Sequence, residues 1–364
     1  MFFAYAQTNT QNTLTLSLID SIEFDISPNE IGPSQPLGTE EGQYIYFFRR
    51  GKNILSKVNI YSGEKTILQS KCISSQKVLG FSVIDSTKVI FEIMNRGSQS
   101  LFLVNYSNNK CQEFIIDPDY NQCKIPPFLN LESPYCSAIQ FGNLLYLPAV
   151  SRAEFEDEHP KDRASFILLD VENGEYKYIW DIPEAYYNYN WGGFGMRSQY
   201  NDVVLEKNLI VVSYPISDDL YIYNIKSKTL QLKSAKSALF NKVTPFKKDK
   251  EWFGALAKMD YMKYFYENYS YEAILFDKYR KLYYRFVRIA NNKIDFGDRK
   301  TLMNFYSIII LDDNFTKVGE YKFEKVNFQS SHFFVSEKGL YIRKAKFNGA
   351  NLVYYIFNPV NIKK

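Results

Sequence analysis

Along most of the chain, apolar and polar residues alternate in short runs, and the runs come in pairs separated by a few polar positions. In "DLYIYNIKSKTLQLK", Asp219 to Lys233, the residues Tyr221, Tyr223 and Ile225 share one face while Ile222 and Asn224 share the other, which is the period of a strand. The first run ends at an Asn, a polar turn follows, and a second alternating run completes a β-hairpin. The unit returns as "ILSKVNIYSGEKTIL" from Ile54, "SLFLVNYSNNKCQEF" from Ser100, "SFILLDVENGEYKYI" from Ser165 and "SIIILDDNFTKVGEYKF" from Ser307. The Asn or Asp marks the phase: Asn59, Asn105, Asp170, Asn224, Asp312 and, near the end, Asn358 in "YYIFNPV".

Another strand precedes each hairpin: "QYIYFF" from Gln43, "KVIFEI" from Lys88, "NLLYLPAV" from Asn143, "NLIVVSYP" from Asn208, "YEAILF" from Tyr271 and "GLYIRK" from Gly339. Six units of about four antiparallel strands predict an all-β fold, a six-bladed β-propeller, because radial repetition leaves only short, protected sheet edges. The last unit runs out after its third strand. "TLTLSLIDSIEFDI", Thr13 to Ile26, alternates well enough to supply the fourth, so the N-terminal strand is expected to close the last blade. Residues 13–364 are expected to form this single domain, with 1–12 as a tail. The best helix candidate is "GALAKMDYMKYFYENYS", Gly254 to Ser270, between the fourth and fifth blades, the alternative being a loop with aromatic anchors.

Composition agrees with strands. The 30 Tyr and 29 Phe suit pleated, half-buried surfaces, and 46% hydrophobic residues in a chain of 364 suffice for a large core. The net charge of +4 is near balance and no long basic run occurs, so nucleic acid is not an expected partner. No apolar run approaches the roughly 18 residues that a transmembrane helix needs. The start, "MFFAYAQ", carries Ala4-Tyr5-Ala6 before Gln7, the small-x-small pattern of a signal-peptide cleavage site. It reads either as the remnant of a signal peptide or as an ordinary tail, and no Cys nearby offers a lipid attachment point. Of the cysteines Cys72, Cys111, Cys123 and Cys136, the last three lie close together, and a disulfide among them is expected if the protein is exported.

Catalytic motifs are scarce. The chain has only His159 and His332, no G-x-S-x-G elbow and no metal-ligand spacing, so no cofactor, metal or catalytic residue is assigned. The Gly-rich "GGFGMR" from Gly192 reads as a tight turn, and the acidic "EFEDEHPKD" from Glu154 as a solvated loop tip. Arginines follow the repeat: Arg50, Arg96, Arg152, Arg285 with Arg288, and Arg343 fall on or near the end of a second strand. In a propeller those ends emerge on one face, where guanidinium forks would suit a carboxylate, sulfate or acidic sugar. The plainer reading is that hairpin tips are polar anyway, and Asp218 and Asp219 break the pattern in the fourth unit. Within "YYRF", Arg285 is read as stacking on an aromatic neighbour. Trp191, Arg197 and Tyr200, on the connection into the fourth unit, are further binding candidates on that face.

The segments "VVSYPISDDLYIYNIKSKTL", "YEAILFDKYRKLYYRF" and "SIIILDDNFTKVGEY" resemble the six-bladed, TolB-like propeller proteins of Bacteroidetes grouped as domain of unknown function 4221. The likeness runs from about Leu14 to Val360. It implies a propeller exported to the periplasm or cell envelope, and brings no catalytic residues with it. The functional expectation is a binding or scaffolding module for an anionic small molecule or a glycan. The alternatives are a polysaccharide lyase or hydrolase with a central-channel site, and a platform for a protein partner.

Overall fold

The computed structural model describes residues 13–24, 34–39, 42–49, 51–94, 98–122, 127–131, 135–150, 164–192, 194–246, 255–291, 293, 296, 305–323, 328–344 and 352–361. After β1 (Leu14–Phe24), the first sheet takes β2 (Ser34–Thr39), β3 (Gly42–Arg49), β4 (Ile54–Asn59) and β5 (Lys65–Leu68). The second takes β6 (Val78–Val83), β7 (Lys88–Met94), β8 (Gln99–Asn105) and β9 (Lys110–Ile116). In the third, β10 (Phe128–Leu129) and β11 (Ile139–Phe141) both pair with β12 (Leu144–Val150), which leads to β13 (Ala164–Asp170) and β14 (Tyr176–Asp181). A single turn, α1 (Ala185–Asn188), precedes the fourth sheet of β15 (Tyr200–Val204), β16 (Leu209–Ser213), β17 (Asp219–Asn224) and β18 (Thr229–Ser234). Helix α2 (Ala255–Glu267) follows, inside the stretch the sequence predicts to be helical.

The remaining strands form one sheet of eight. β19 (Ser270–Asp277), β20 (Leu282–Ile289), β21 (Phe305–Leu311) and β22 (Lys317–Lys322) make one half, and β23 (Phe328–Ser336), β24 (Gly339–Lys344) and β25 (Leu352–Asn361) with β1 make the other. The N-terminal strand lies antiparallel along β25, from Leu14↔Asn361 to Phe24↔Leu352. The halves meet where β1 runs parallel to β22 at Leu14↔Gly319. A Cβ on Gly319 would lie 2.0 Å from the Leu14 carbonyl oxygen, so only glycine lets the two strands approach.

The repeated Asn or Asp now has a physical role. Asn59 Oδ1 accepts hydrogen bonds from the backbone N–H of Tyr61 and Ser62, Asn224 Oδ1 from Ser227, and Asp312 Oδ1 from Asn314 and Thr316. Asn105 and Asp170 do the same for Ser107 and Glu172. Each is an Asx turn that ends the third strand and reverses the chain. Asn358 departs from the pattern: it lies within β25, opposite Ser17. "YEAILF" likewise belongs to β19, the first strand of its sheet, and β20 is the strand that precedes the hairpin.

Most strands bury both faces, each against a different neighbouring sheet. On β20, Tyr283 and Val287 pack into a cluster with Val211, Leu220 and Ile222 of the fourth sheet, while Tyr284 and Phe286 pack with Phe333 and Leu340. Similar wedges join the first sheet to the second through Phe48, Phe81 and Phe91, and join β24 and β25 back to the first sheet through Tyr341, Tyr354 and Phe47. The result is a propeller-like ring of small antiparallel sheets, with first strands toward the axis and fourth strands outermost. A disulfide joins Cys72, just beyond β5, to Cys111 on β9, with Cα atoms 6.5 Å apart. That pairing corrects the sequence expectation: Cys111 takes a partner from the neighbouring sheet, and Cys136 is a buried thiol, outside that disulfide, which donates to the Gln199 carbonyl at 2.7 Å.

Candidate functional site

The first strands are laced to one another across the ring. Gln35 on β2 donates to Ser137 Oγ (2.8 Å), and its Oε1 accepts from the Val83 N–H on β6 (2.6 Å). Ser82 Oγ, also on β6, accepts from the Ala138 N–H (2.8 Å). Asn201 on β15 clamps the segment leading into β11: its N–H donates to the Tyr135 carbonyl (2.8 Å) and its Nδ2 to the Ser137 carbonyl (3.1 Å). Asp202 reaches on to the next strand, its Oδ2 accepting from the Phe276 N–H of β19 (2.6 Å). Tyr135 stacks on Phe333 of β23 with ring centroids 4.1 Å apart, and its hydroxyl accepts from the Phe333 N–H.

These side chains enclose an axial cavity of about 460 Å³. Tyr135, Ser137, Asn201, Asp202 and Phe333 line its deep part. Leu275, Phe276 and Phe334 add apolar wall, and Gln43, Leu205, Glu206, Lys278 and Tyr279 stand at the mouth among the turns after the first strands. The volume falls within the range of roughly 300–1,000 Å³ typical of small-molecule sites. At the mouth, Gln43 Nε2 donates to the Tyr279 hydroxyl, Glu206 pairs with Lys281, and the Lys278 ammonium sits 5.2 Å from the Tyr279 ring centroid.

Two features of the deep wall bear on chemistry. Asn201 is 3% exposed, and its Oδ1 has no hydrogen-bond partner among the described residues. Asp202 also takes the Val203 N–H on Oδ1, yet burial outweighs both backbone donors and pushes its carboxyl up to about 6. The lining therefore presents the Asp202 carboxyl group together with the Ser137 hydroxyl, which accepts from Gln35. Among the described residues no His, Cys, Asp and Glu side chains group to hold a metal ion.

The sequence-derived candidates sit elsewhere. Arg50, Arg96 and Arg152 lie outside the described residues, as does the acidic loop. Arg285 is fully buried: its guanidinium donates to Ser213 Oγ and to the carbonyls of Ser217, Asp218 and Ala235, and stacks 3.7 Å over the Tyr271 ring. Burial brings its pKa down to about 10. Arg288 pairs with Glu272, donates to the Phe265 carbonyl and Ser270 Oγ, and stacks on Phe265, so it ties β20 to the end of α2. Arg343, opposite Tyr354 on β25, is 3% exposed. His332 is also buried, which, with Arg343 nearby, lowers its pKa to about 3.

Trp191 is buried, its Nε1 donating to the Ala185 carbonyl, and Tyr200 packs against the cluster around Phe286 and Phe333. Arg197 is half-buried beside Tyr186 and Tyr214 at a separate cavity of about 30 Å³, at the opposite ends of the strands from the axial mouth. The structure thus groups Arg197 with aromatic residues but places Arg285, Arg288 and Arg343 between sheets. In "GGFGMR", Gly192 turns at φ +65°, and a Cβ on Gly195 would lie 2.5 Å from the Phe265 ring, so these glycines admit the aromatic face of α2. Sequence reading missed Asn201, Asp202, Ser137 and Tyr135. The available signal was polar residues at the start of otherwise apolar first strands, in "YCSAI" and "YNDVV".

The model of the family described as "Domain of unknown function (DUF4221)" matches residues 128–322, more than half of the chain. The chain belongs to the DUF4221 family. A DUF4221 member from Bacteroides vulgatus has a similar crystal structure, with a TM-score of 0.78 at 20% identity, covering 97% of this chain and 100% of that one. A "Putative exported protein" from Bacteroides fragilis superposes with a TM-score of 0.55 at 12% identity, covering 99% of this chain and 98% of that one. No curated protein matches the chain. These likenesses establish the propeller-like DUF4221 fold, and no helix among the described residues is long and apolar enough to cross a membrane.

Proposed function

We propose that this DUF4221 chain is a six-bladed propeller of the exported class that works as a ligand-binding module through its axial cavity. The six-blade count follows if the eight-stranded sheet is divided at its one parallel junction, Leu14↔Gly319, into two four-stranded blades. The exported class rests on the Bacteroides fragilis relative and on the Ala4-Tyr5-Ala6 pattern.

The observation that carries the binding reading is the cavity itself, of ligand size and lined by both polar and aromatic side chains. A hydrolase would call for a pair of carboxyl groups across the scissile bond. Asp202 lies in the deep wall, whereas Glu206 stands at the mouth and is engaged by Lys281. A protein-interaction role has one observation of its own: Leu230 and Leu232 on the outer strand β18 are 50% and 49% exposed.

The test is a thermal-shift screen against neutral and acidic oligosaccharides, nucleotides, sulfate and calcium. A ligand at a hundred times its Kd adds about 2.7 kcal/mol. The reading expects a shift that disappears in Leu205→Trp, which narrows the mouth at an exposed position, and persists in Arg197→Ala. Loss in Arg197→Ala alone would move the site to the small cavity beside Arg197. A screen with no shift would sink the small-ligand reading and turn the search to protein partners.

A further inference from the structure

In the deep wall of the axial cavity stands a carboxyl group with no cation beside it. Asp202 is partly exposed in the lining, and among the described residues no lysine or arginine pairs with it. Its Oδ1 holds the Val203 N–H at 2.8 Å and its Oδ2 the Phe276 N–H at 2.6 Å. A carboxylate has about four acceptor sites, so two backbone donors leave half of them open. With a pKa of about 6 the group is largely ionised at pH 7, although burial disfavours its charge. The other charged groups of the lining stand at the mouth: Glu206 is engaged by Lys281, and Lys278 is exposed beside the Tyr279 ring, where water and salt screen it. Tyr283 on β20 lies close enough for the Asp202 charge to oppose ionisation of its hydroxyl, which stays neutral. The floor is therefore negative.

That charge selects among ligands. An anion reaching the floor would meet the carboxylate in a partly desolvated space and be repelled. A metal ion is poorly served, because calcium takes about six to eight oxygen ligands and no metal-binding group of His, Cys, Asp and Glu forms among the described residues. An ammonium group fits better: its N–H groups can reach the open lone pairs, and it supplies the counter-charge that Asp202 lacks. Around the carboxyl group the accessible wall is apolar. Val203, Leu275, Phe276 and Val335 each keep part of their surface exposed in the lining, and Leu205 is exposed at the mouth. A cationic head on a hydrocarbon body would match both kinds of surface. We infer that the axial cavity binds a primary organic amine in its ammonium form, with the Asp202 carboxylate as counter-ion and Val203, Leu275, Phe276 and Val335 around its apolar body. This rests on the reading of the axial cavity as the ligand site.

The experiment adds two matched series to the thermal-shift screen and follows them by isothermal titration of the full chain at pH 7: phenethylamine, 2-phenylethanol and phenylacetate, and hexylamine, hexanol and hexanoate. The expected result is an amine that binds at least about ten-fold more tightly than the alcohol and the carboxylate of its own series. That preference should collapse in Asp202→Asn, which removes the charge and keeps an acceptor for the Phe276 N–H, and binding should be lost in Leu205→Trp. Should Asp202→Asn fail to fold, carbon-13 NMR of the Asp202 carboxyl group in the wild type decides: saturating amine is expected to move its titration about one pH unit lower, the shift that a ten-fold preference for the ionised form implies. An unmoved titration would overturn the inference. An alcohol or carboxylate that binds as tightly as its amine, or an amine preference that survives Asp202→Asn, would overturn the ammonium inference while sparing the axial site if Leu205→Trp still abolishes binding. Amine binding indifferent to both Asp202→Asn and Leu205→Trp would overturn both readings. No binding by either amine would overturn the ammonium inference, and the other ligand classes of the screen judge the axial site independently.

Discussion

Asp202 holds a carboxyl group in the cavity wall with a pKa raised to about 6, so between about pH 4 and 6 the folded protein binds a proton that the unfolded chain releases. Asp202 therefore makes stability fall as pH rises through that window, with no further change above about pH 7. His332, lowered to about 3, acts in the opposite sense, since its unfolded form takes up a proton as pH falls below about 6.5. Comparison with Asp202→Asn, which keeps an acceptor for the Phe276 N–H, isolates the first effect. In urea titrations the wild type is expected to lose on the order of 2 kcal/mol relative to that variant between pH 4 and 7. A pH-independent difference would show that Asp202 is solvated. Arg285 is a second residue whose chemistry is legible only with its neighbours in place: its fork meets three carbonyls and Ser213 Oγ between two sheets. Arg285→Lys keeps the charge but not the planar donor geometry, and is expected to cost about 3 kcal/mol in denaturant unfolding. A near-neutral result would argue against a structural role and restore Arg285 as a ligand-binding candidate.

At the scale of elements, the hairpins were legible because everything that makes them is local. Alternation sets the faces, and an Asx side chain two to four residues from the N–H groups it accepts ends the strand. Asp312→Ala removes two such bonds at one turn and is expected to lower stability by about 1–2 kcal/mol, measured by thermal unfolding. Asn358 shows the limit of that signal. The same letter after the same apolar run sits mid-strand, because β1 pairs alongside and carries β25 onward to Asn361. The β1–β22 junction is also nonlocal, and Gly319→Ala would drive a Cβ into the Leu14 carbonyl. That variant is expected to lose about 1–3 kcal/mol and to increase amide exchange in 14–18. Unchanged exchange there would mean that the junction does not hold the N-terminal strand.

At the scale of the whole molecule, the ring must be held closed at its axis, between its sheets and at its rim. Inner strands exchange hydrogen bonds through Gln35, Ser82, Asn201 and Asp202, apolar wedges fill the gaps between sheets, and Cys72–Cys111 staples the first two sheets on the outside. The bridge spans a sequence separation of 39, and a loop of that order contributes about 3–4 kcal/mol in the chain-entropy model. Cys72→Ser with Cys111→Ser is expected to lower stability by that order under oxidising conditions and to match the reduced wild type. A variant as stable as the oxidised protein would refute the staple.

The sequence by itself determined the strands, their turns, the placement of the helix and the ring-forming repeat, since each depends on residues a few positions apart. Only the tertiary structure decided which partner Cys111 takes, where the arginines point and what lines the axis. Those outcomes join residues as distant as Tyr135 and Phe333, 198 positions apart, and a contact of that range leaves no periodic trace in one sequence. Arg285 looks the same in sequence whether it faces solvent or a bed of carbonyls; the angle between neighbouring sheets puts it among the carbonyls, and brings Asn201 to the cavity wall.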